Sequence, residues 1–334
     1  LHDTAIRELA GREALLNEAR MDLDRALRAR GMGRYTGESV GGYELGQLIG
    51  RGGMGEVYDA VHLDSENTAA VKLLHPQVLE DPSCVKRFLR ECRLASSLDE
   101  PNVVKVLATS KPEDPIPFIA MERLYGIDLS DMLRQRGRLR MREVLRLIRE
   151  VGNGLDAARQ VGIVHRDIKP RNIFLSEGGP GETLRNGVWK ILDFGVSKLA
   201  NDVTMTRQNL VGTPSYMAPE QAAGEDVSHR TDLFSLAVIA YRALTGRPAF
   251  TGDNPMVIMY RVVNDMPPQP TAVARLAPQL DDVYAIALAK DPWERFDSAT
   301  ELADALEKAA RGRLPKALRE RGQRLILELP WGAA

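Results

Sequence analysis

Ile6, Leu9, Leu16, Ala19, Leu23, Ala26 and Leu27 form an apolar stripe, with Arg and Glu between, that predicts a helix over residues 4–30. Leu9, Leu16 and Leu23 recur every seven residues, as in a coiled coil, but Arg12 and Glu13 interrupt that seam. A helix docked on its own domain and a self-associating helix are both open readings. Gly31-Met32-Gly33 ends it, because glycine readily takes a left-handed C-cap, and the glycine-rich, polar stretch 31–42 reads as a linker. From Tyr43 to Leu74 the pattern changes to alternation around glycines, which predicts antiparallel strands joined by tight turns. Val85–Leu98 reads as a helix, and Val103–Val106 and Phe118–Met121 as strands linked through a proline-rich turn.

From Ser130 onward the period becomes helical. Met141–Gln160 carries Val144, Leu145, Ile148, Val151, Leu155 and Ala158 on one face, so it is a core helix. Residues 176–187 are polar and glycine-rich and read as a solvated loop. Trp189–Leu192 reads as a strand and Leu233–Leu244 as an apolar helix. Arg311-Gly312-Arg313-Leu314-Pro315 begins a basic segment. The apolar stretch Leu325–Trp331 after it is open between a strand, a docking peptide and an unpacked end.

At 334 residues the chain has room for one large two-lobed domain or two ordinary ones. A formal charge of −1 argues against a nucleic-acid binder and leaves room only for a local basic patch. Cys84 and Cys92 sit eight residues apart in one predicted helix, too far for a mutual disulfide, and free thiols suit a reducing cytoplasm. The five His show no zinc-ligand spacing. No run approaches the roughly 20 apolar residues of a membrane span. The charged, helical start does not read as a signal peptide, and a first residue of Leu suits a fragment of something longer.

Three stretches carry candidate chemistry. Ile163–Phe174 puts an acid, a cation and an amide on one short loop. Asp167 can accept a hydroxyl proton, Lys169 can neutralise a phosphoryl oxygen, and Asn172 can offer oxygen to a hard cation such as Mg²⁺. Alone, this could be a polar turn with one buried His. The second stretch is Leu48-Ile49-Gly50-Arg51-Gly52-Gly53-Met54-Gly55-Glu56-Val57-Tyr58. A dinucleotide fingerprint would need a helix straight after the glycines, yet Glu56–Val61 alternates like a strand. A strand-turn-strand loop lets the glycine backbone lie close over phosphates. The third is Lys72 within the apolar Ala69–Leu74. It is either an edge lysine or a buried ammonium that needs a partner to offset several kcal/mol of desolvation.

With Asp193-Phe194-Gly195 downstream, these motifs resemble the eukaryotic-like protein kinase family, specifically its bacterial serine/threonine branch, over about residues 43–309. The resemblance implies an α+β, two-lobed protein kinase fold. An N-lobe (43–124) would be an antiparallel sheet with one main helix, and a C-lobe (125–309) mostly helical. The helix 1–30, the linker 31–42 and a tail 310–334 would flank them.

The resemblance also implies roles. ATP would lie between the lobes, its phosphates under Gly50, Gly52, Gly53 and Gly55, with Ile49, Val57, Ala70 and Phe174 around the base. Met121-Glu122-Arg123-Leu124 resembles the gatekeeper and hinge, and Asp128 falls where the ribose is gripped. Lys72, paired with Glu91, would hold the α- and β-phosphates. Asn172 and Asp193 would bind Mg²⁺, with Mn²⁺ as an alternative, while Asp167 and Lys169 act at the transferred group. Phe194, His165, Ala95 and Val106 would stack as the family's internal column, loosened by the small Ala95. Thr213 would bridge Asp167 and Lys169 and, with Lys169 itself, marks the serine/threonine branch. Glu220 would pair with Arg295, and Asp232 would hold the catalytic-loop backbone. Arg166 would await a phosphate on Thr204 or Thr206.

The expected activity is therefore ATP-dependent phosphorylation of protein serine and threonine hydroxyls, in the cytoplasm, with protein substrates and a homodimer or docking contact through the N-terminal helix. A pseudokinase scaffold is the rival, although it usually loses an equivalent of Lys72, Asp167 or Asp193, and all three are present. A small-molecule phosphotransferase typically lacks the Ala-Pro-Glu segment and its arginine partner, and both are here.

Overall fold

The computed structural model describes residues 32–52, 55–79, 81–111, 114–178, 186–193 and 214–333, with Pro76, Gln77, Pro82, Ser83, Cys84, Arg87, Glu91 and Leu94 described by backbone alone. The helix expected over 4–30, Gly53, Phe194, Thr204, Thr206, Thr213 and residues 179–185 of the 176–187 loop lie outside these. The chain divides into two compact units, Leu1–Leu89 with Val106–Arg123, and Arg90–Lys105 with Leu124–Ala334.

The first unit is built on six antiparallel strands: β1 (Ser39–Val40), β2 (Tyr43–Arg51), β3 (Gly55–His62), β4 (Thr68–Leu74), β5 (Val106–Thr109) and β6 (Phe118–Glu122), in the order β1-β2-β3-β4-β6-β5. Alternate residues point to opposite faces of a strand. Tyr43, Leu45, Tyr58, Ala60, Ala69, Val71, Leu73, Phe118 and Ala120 therefore form one buried cluster. Val57, Ala70, Lys72 and Met121 fall on the other face, with Val57 opposite Lys72 and Ala70 opposite Met121. That alternation separates a structural side of the sheet from a chemical one.

Residues 32–42, read as a linker from their glycines, are instead part of this unit. Val40 is buried, β1 pairs with β2, and the Tyr35 amide donates to the Tyr58 hydroxyl at 3.1 Å. Two short helical pieces follow β4: α1 (Pro76–Leu79) and α2 (Pro82–Ala95), the latter beginning and ending three residues earlier than the pattern predicts.

The second unit joins a three-stranded sheet, β7 (Tyr125–Asp128), β8 (Ile173–Glu177) and β9 (Val188–Ile191), to the helices. These are α3 (Leu129–Arg136), α4 (Met141–Gln160), α5 (Pro219–Ala223), α6 (His229–Thr245), α7 (Pro255–Asn264), α8 (Pro270–Val273), α9 (Gln279–Ala287), α10 (Ala299–Ala310) and α11 (Lys316–Glu328). Helix α6 is buried all round from Thr231 to Tyr241, which is why its sequence lacks an amphipathic stripe. It is capped by Ser228, and Gly246 ends it in the left-handed conformation. The 102–104 segment belongs to this unit and not to a strand starting at Val103. Asn102 Nδ2 donates to the Trp189 carbonyl at 2.9 Å, and Val103 bridges Ile191 in parallel.

Of the apolar stretch 325–331, residues 325–328 close α11, and the residues after it lead to a parallel bridge between Gly332 and Pro268. Helix α11 packs on α9, where a Cβ on Gly322 would stand 2.6 Å from the Asp282 carbonyl oxygen. Arg321 Nη2 donates to the carbonyls of Glu294 and Arg295 at 2.7 and 3.0 Å. No helix among the described residues is long and apolar enough to cross a membrane.

Candidate active site

In the second unit, antiparallel pairing of β8 with β9 sets the start of one beside the end of the other, and Leu192 N–H donates to the Asn172 carbonyl at 2.8 Å. Asn172, just before β8, and Asp193, just after β9, therefore emerge at the same end of the hairpin. Asp128, paired with Phe174, reaches that end from β7. The Asp128 carboxylate also caps α3, accepting from the Asp131 amide at 2.9 Å.

The loop between α4 and β8 is held by its backbone. Asp232, buried at the start of α6, accepts the His165 and Arg166 amides on its two oxygens at 2.7 and 2.8 Å. Burial pushes the Asp232 carboxyl up, against the pull of His165, of these two amides and of the Arg166 charge. Arg166 adopts φ +66°, a left-handed conformation that a non-glycine residue holds only under constraint. The constraint is two-sided, since Gln221 Nε2 donates to the Arg166 carbonyl at 2.8 Å. Gln221 went unnoticed in the sequence, where it is one glutamine in a short helix. The fully buried His165 locks the turn from within. Its Nδ1 accepts the Asp167 amide at 3.2 Å, so Nε2 carries the proton it shares with the Leu192 carbonyl at 2.8 Å.

This frame presents the charged groups together. Lys169 Nζ lies 2.7 Å from Asp167 Oδ2, and Asn172 Nδ2 donates to that same oxygen at 3.0 Å and to the Asp167 carbonyl at 2.8 Å. Both bonds use Oδ2, so no described donor engages Oδ1. With its amide nitrogen turned to Asp167, Asn172 keeps its oxygen as a donor for a cation. Among the described residues no group of three or more His, Cys, Asp or Glu could hold a metal ion. A cation here would take one carboxylate and one amide from the chain. That thin, all-oxygen set suits Mg²⁺, which keeps waters and phosphate oxygens for its remaining positions.

A second stabilising contact expected from the sequence, after Asp232, is also in place in this unit. Arg295 Nη1 and Nη2 meet Glu220 Oε1 and Oε2 at 2.8 and 2.7 Å, both side chains buried. Burial alone would raise the Glu220 carboxyl. The Arg295 fork and the Thr231 hydroxyl, 2.7 Å away, bring it below the usual range.

In the first unit the glycine turn is closed by Gly52 N–H to the Gly55 carbonyl at 2.9 Å, with Gly50 opposite Val57. Among the described residues a Cβ on Gly52 would meet nothing nearer than 4.0 Å, whereas one on Gly55 would collide with the Leu73 carbonyl, so Gly55 is glycine because of packing. Lys72 is buried on the face shared with Val57, Ala70 and Met121. Ile49 is exposed, Glu122 half-buried, and Leu124 begins the second unit. Glu56, unremarked in the sequence, is buried beside the turn. It binds the Tyr58 hydroxyl and the Arg51 guanidinium and accepts the Arg34 amide at 3.4 Å.

The family described as protein kinase domain matches residues 43–306. The serine/threonine-protein kinase PknB of Mycolicibacterium smegmatis is 38% identical over 283 residues, covering 82% of this chain and 44% of that protein. The probable serine/threonine-protein kinase PknB of Bifidobacterium longum is also 38% identical, covering 84% of this chain and 41% of its own length. This chain spans under half the length of the curated relatives it matches. The crystal structure of the Mycobacterium tuberculosis PknI kinase domain superposes with a TM-score of 0.66 at 31% identity, over 83% of this chain and all of that one.

Proposed function

This chain belongs to the protein kinase domain family, and from that premise we propose that it transfers the γ-phosphate of ATP to serine or threonine hydroxyls of proteins. The observation that carries the reading is the Lys169–Asp167–Asn172 cluster on a strained loop clamped by Asp232 and Gln221. Phosphoryl transfer asks for positioning and charge more than covalent chemistry. Asp167 Oδ1, free of the bonds that tie Oδ2, orients the substrate hydroxyl and takes its proton late. Lys169 offsets charge growing on the transferred group, and Thr213 completes the bridge to it. In the first unit Lys72 is the cation read as serving the α- and β-phosphates, with Glu91 as the partner that the family resemblance implies. Val57, Ala70 and Met121 are read as adenine neighbours and Glu122 as a backbone contact, and in the second unit Phe174 and Leu124 take the same two roles. Asn172 and Asp193 hold Mg²⁺, with Mn²⁺ as an alternative, which when bound neutralises phosphate charge.

The test is γ-phosphate transfer from Mg-ATP onto the chain itself and onto a generic protein, beside Asp167→Asn. Transfer lost in the variant supports the reading. No transfer by a folded wild type makes it a pseudokinase, and transfer to small hydroxyl compounds alone makes it a small-molecule phosphotransferase.

The same reading places autophosphorylation on Thr204 or Thr206. Arg166 Nε is buried with no hydrogen-bond partner among the described residues, which suits a phosphate acceptor. Mass spectrometry should find that phosphate in the wild type and not in Asp167→Asn, and a fully active Thr204→Ala/Thr206→Ala protein would remove the switch. Self-association through residues 4–30 is tested by sedimentation against a chain starting near Val40. A cytoplasmic location goes with the activity and is tested by fractionation.

A further inference from the structure

The turn from α3 into α4 reads Arg134-Gln-Arg136-Gly-Arg138-Leu-Arg140-Met-Arg142, an arginine at every second position in a chain of net charge −1. Leu139 anchors it, buried and donating its amide to the Ala243 carbonyl at 2.7 Å, so all five arginines are left exposed. The same bond draws in the end of α6. Arg242 Nη1 donates to the Gly137 carbonyl at 3.2 Å, Gly246 packs by Arg138, and the exposed Arg247 follows.

Ordinary structural duties account for only part of this cluster. Arg134 pairs with Asp131 at 3.0 Å, and Arg136 grips both oxygens of Glu143 at 2.9 Å. Arg134, Arg136 and Arg242 also stand in the last turns of their helices, where the dipole favours a cation. Arg140 and Arg142 stand at the opposite kind of site. They are the N-cap and second residue of α4, where a positive charge opposes the dipole. No ion pair joins Arg138, Arg140, Arg142, Arg242 or Arg247 to a carboxylate among the described residues, and Glu143, already gripped by Arg136, is the nearby acid whose field involves Arg140. A surface that spends stability to concentrate one sign of charge is suited to an oppositely charged partner.

The position of the patch narrows the partner. Ser235, two turns before Arg242 on α6, donates to the Tyr216 carbonyl at 2.7 Å, and the Arg242 charge acts on the Tyr216 phenol. Pro214–Tyr216 directly follows Thr213, the residue read above as positioning the substrate. The patch thus borders the substrate end of the site within one unit. Every cation in it is an arginine, whose planar fork matches carboxylates two bonds at a time. We propose that this arginine surface docks an acidic segment of the protein substrate, remote in sequence from the phosphorylated hydroxyl. The proposal rests on the kinase reading for its consequence in turnover, though not for binding itself.

The full chain should be assayed with two peptides that share one acceptor stretch and differ only in a distal run of Glu or of Gln. At low salt the Glu peptide should have a KM about tenfold lower, with equal kcat and an unchanged KM for ATP. Arg138→Gln/Arg140→Gln/Arg142→Gln should erase that difference and leave the Gln peptide's kinetics unchanged. Arg138→Glu/Arg142→Glu should transfer the preference to a Lys-extended peptide, an exchange that misfolding would not produce. Fluorescence anisotropy of the labelled Glu run, which needs no turnover, should weaken with salt in the wild type and be lost in the triple variant. Binding without transfer to any peptide would keep the surface and overturn the kinase reading. Equal KM values and equal anisotropy for the two peptides would overturn the proposal. So would tight, arginine-dependent binding to phosphatidylserine vesicles with none to the Glu run.

Discussion

Replacing Arg295 by leucine should unfold this protein more readily than any surface change, for reasons that can be counted atom by atom. A guanidinium has five N–H groups. Here Nε donates to the Ala289 carbonyl at 2.8 Å, and Nη1 serves Glu220 at 2.8 Å and Arg230 at 3.1 Å. Nη2 serves Glu220 at 2.7 Å and the Lys290 carbonyl at 3.0 Å. The side chain is fully buried, and Glu220 is only 2% exposed. Leucine would fill much of the volume but strand a buried carboxylate with Thr231 as its remaining side-chain donor. Breaking a buried pair on one side costs about 3–5 kcal/mol. That is a large share of the roughly 5–15 kcal/mol that holds a typical domain folded. Removing both partners, as in Glu220→Leu/Arg295→Leu, should cost less than removing the arginine alone.

The pH dependence carries the sharper test. In the wild type the Glu220 carboxyl is held below its ordinary value, so its stabilisation is present above the unfolded carboxyl pKa of about 4.3. It is lost as pH falls through the lower folded value. Without Arg295, burial acts largely unopposed and raises the same carboxyl, so acid relieves the variant by protonating it. Urea unfolding followed by tryptophan fluorescence should show the widest gap between wild type and variant near pH 7. The gap should narrow towards pH 4. A gap below about 1 kcal/mol, or one constant across that range, would refute the reasoning.

Three further outcomes follow from the packing. Gly322→Val should lower the melting temperature by the equivalent of about 1–3 kcal/mol, because its side chain would meet the Asp282 backbone where α11 lies on α9. Gly41→Val, checked by the same melt, should cost at least as much, since Gly41 has φ +60° and lies against the Phe118 ring. Lys72→Met should still fold, shown by a cooperative melt, yet lose transfer in the radiolabel assay, as methionine keeps the apolar stem in a buried strand and removes the cation.

The 163–174 loop was legible because its polar residues are few and close together in sequence, and because the glycine turn and Asp193-Phe194-Gly195 set it apart from an ordinary polar turn. Glu220 and Arg295 were legible for a different reason: a 75-residue separation that the family resemblance joins, and that geometry confirms as a bidentate pair. Gln221 and Glu56 left no such trace. Each is an unexceptional polar residue whose importance comes from its bonds in the fold, Gln221 to the Arg166 carbonyl and Glu56 to the Tyr58 hydroxyl, the Arg51 guanidinium and the Arg34 amide. The Val103 strand was misplaced because an apolar run cannot reveal that its neighbour Asn102 is tied to Trp189, which carries Val103 to the other unit.

The linker reading of 31–42 failed for a physical reason, the double meaning of glycine. In residues 31–42 the glycines read as flexibility, since an unpacked glycine has the most conformational freedom to lose. Gly33 and Gly41 are instead places where a ring leaves no room for a Cβ, Tyr58 over one and Phe118 over the other. Gly322 repeats the case at the far end, inside a helix where its low propensity argues against helical structure at all. Each lies outside the matched span 43–306, and each is held by a residue inside it: Tyr58, Phe118 and Asp282. The packed body of each unit therefore extends past the family boundary. A truncation at residues 43 and 306 would expose the faces of Tyr58, Phe118 and α9 that these segments cover, and the truncated chain would be less stable than the whole.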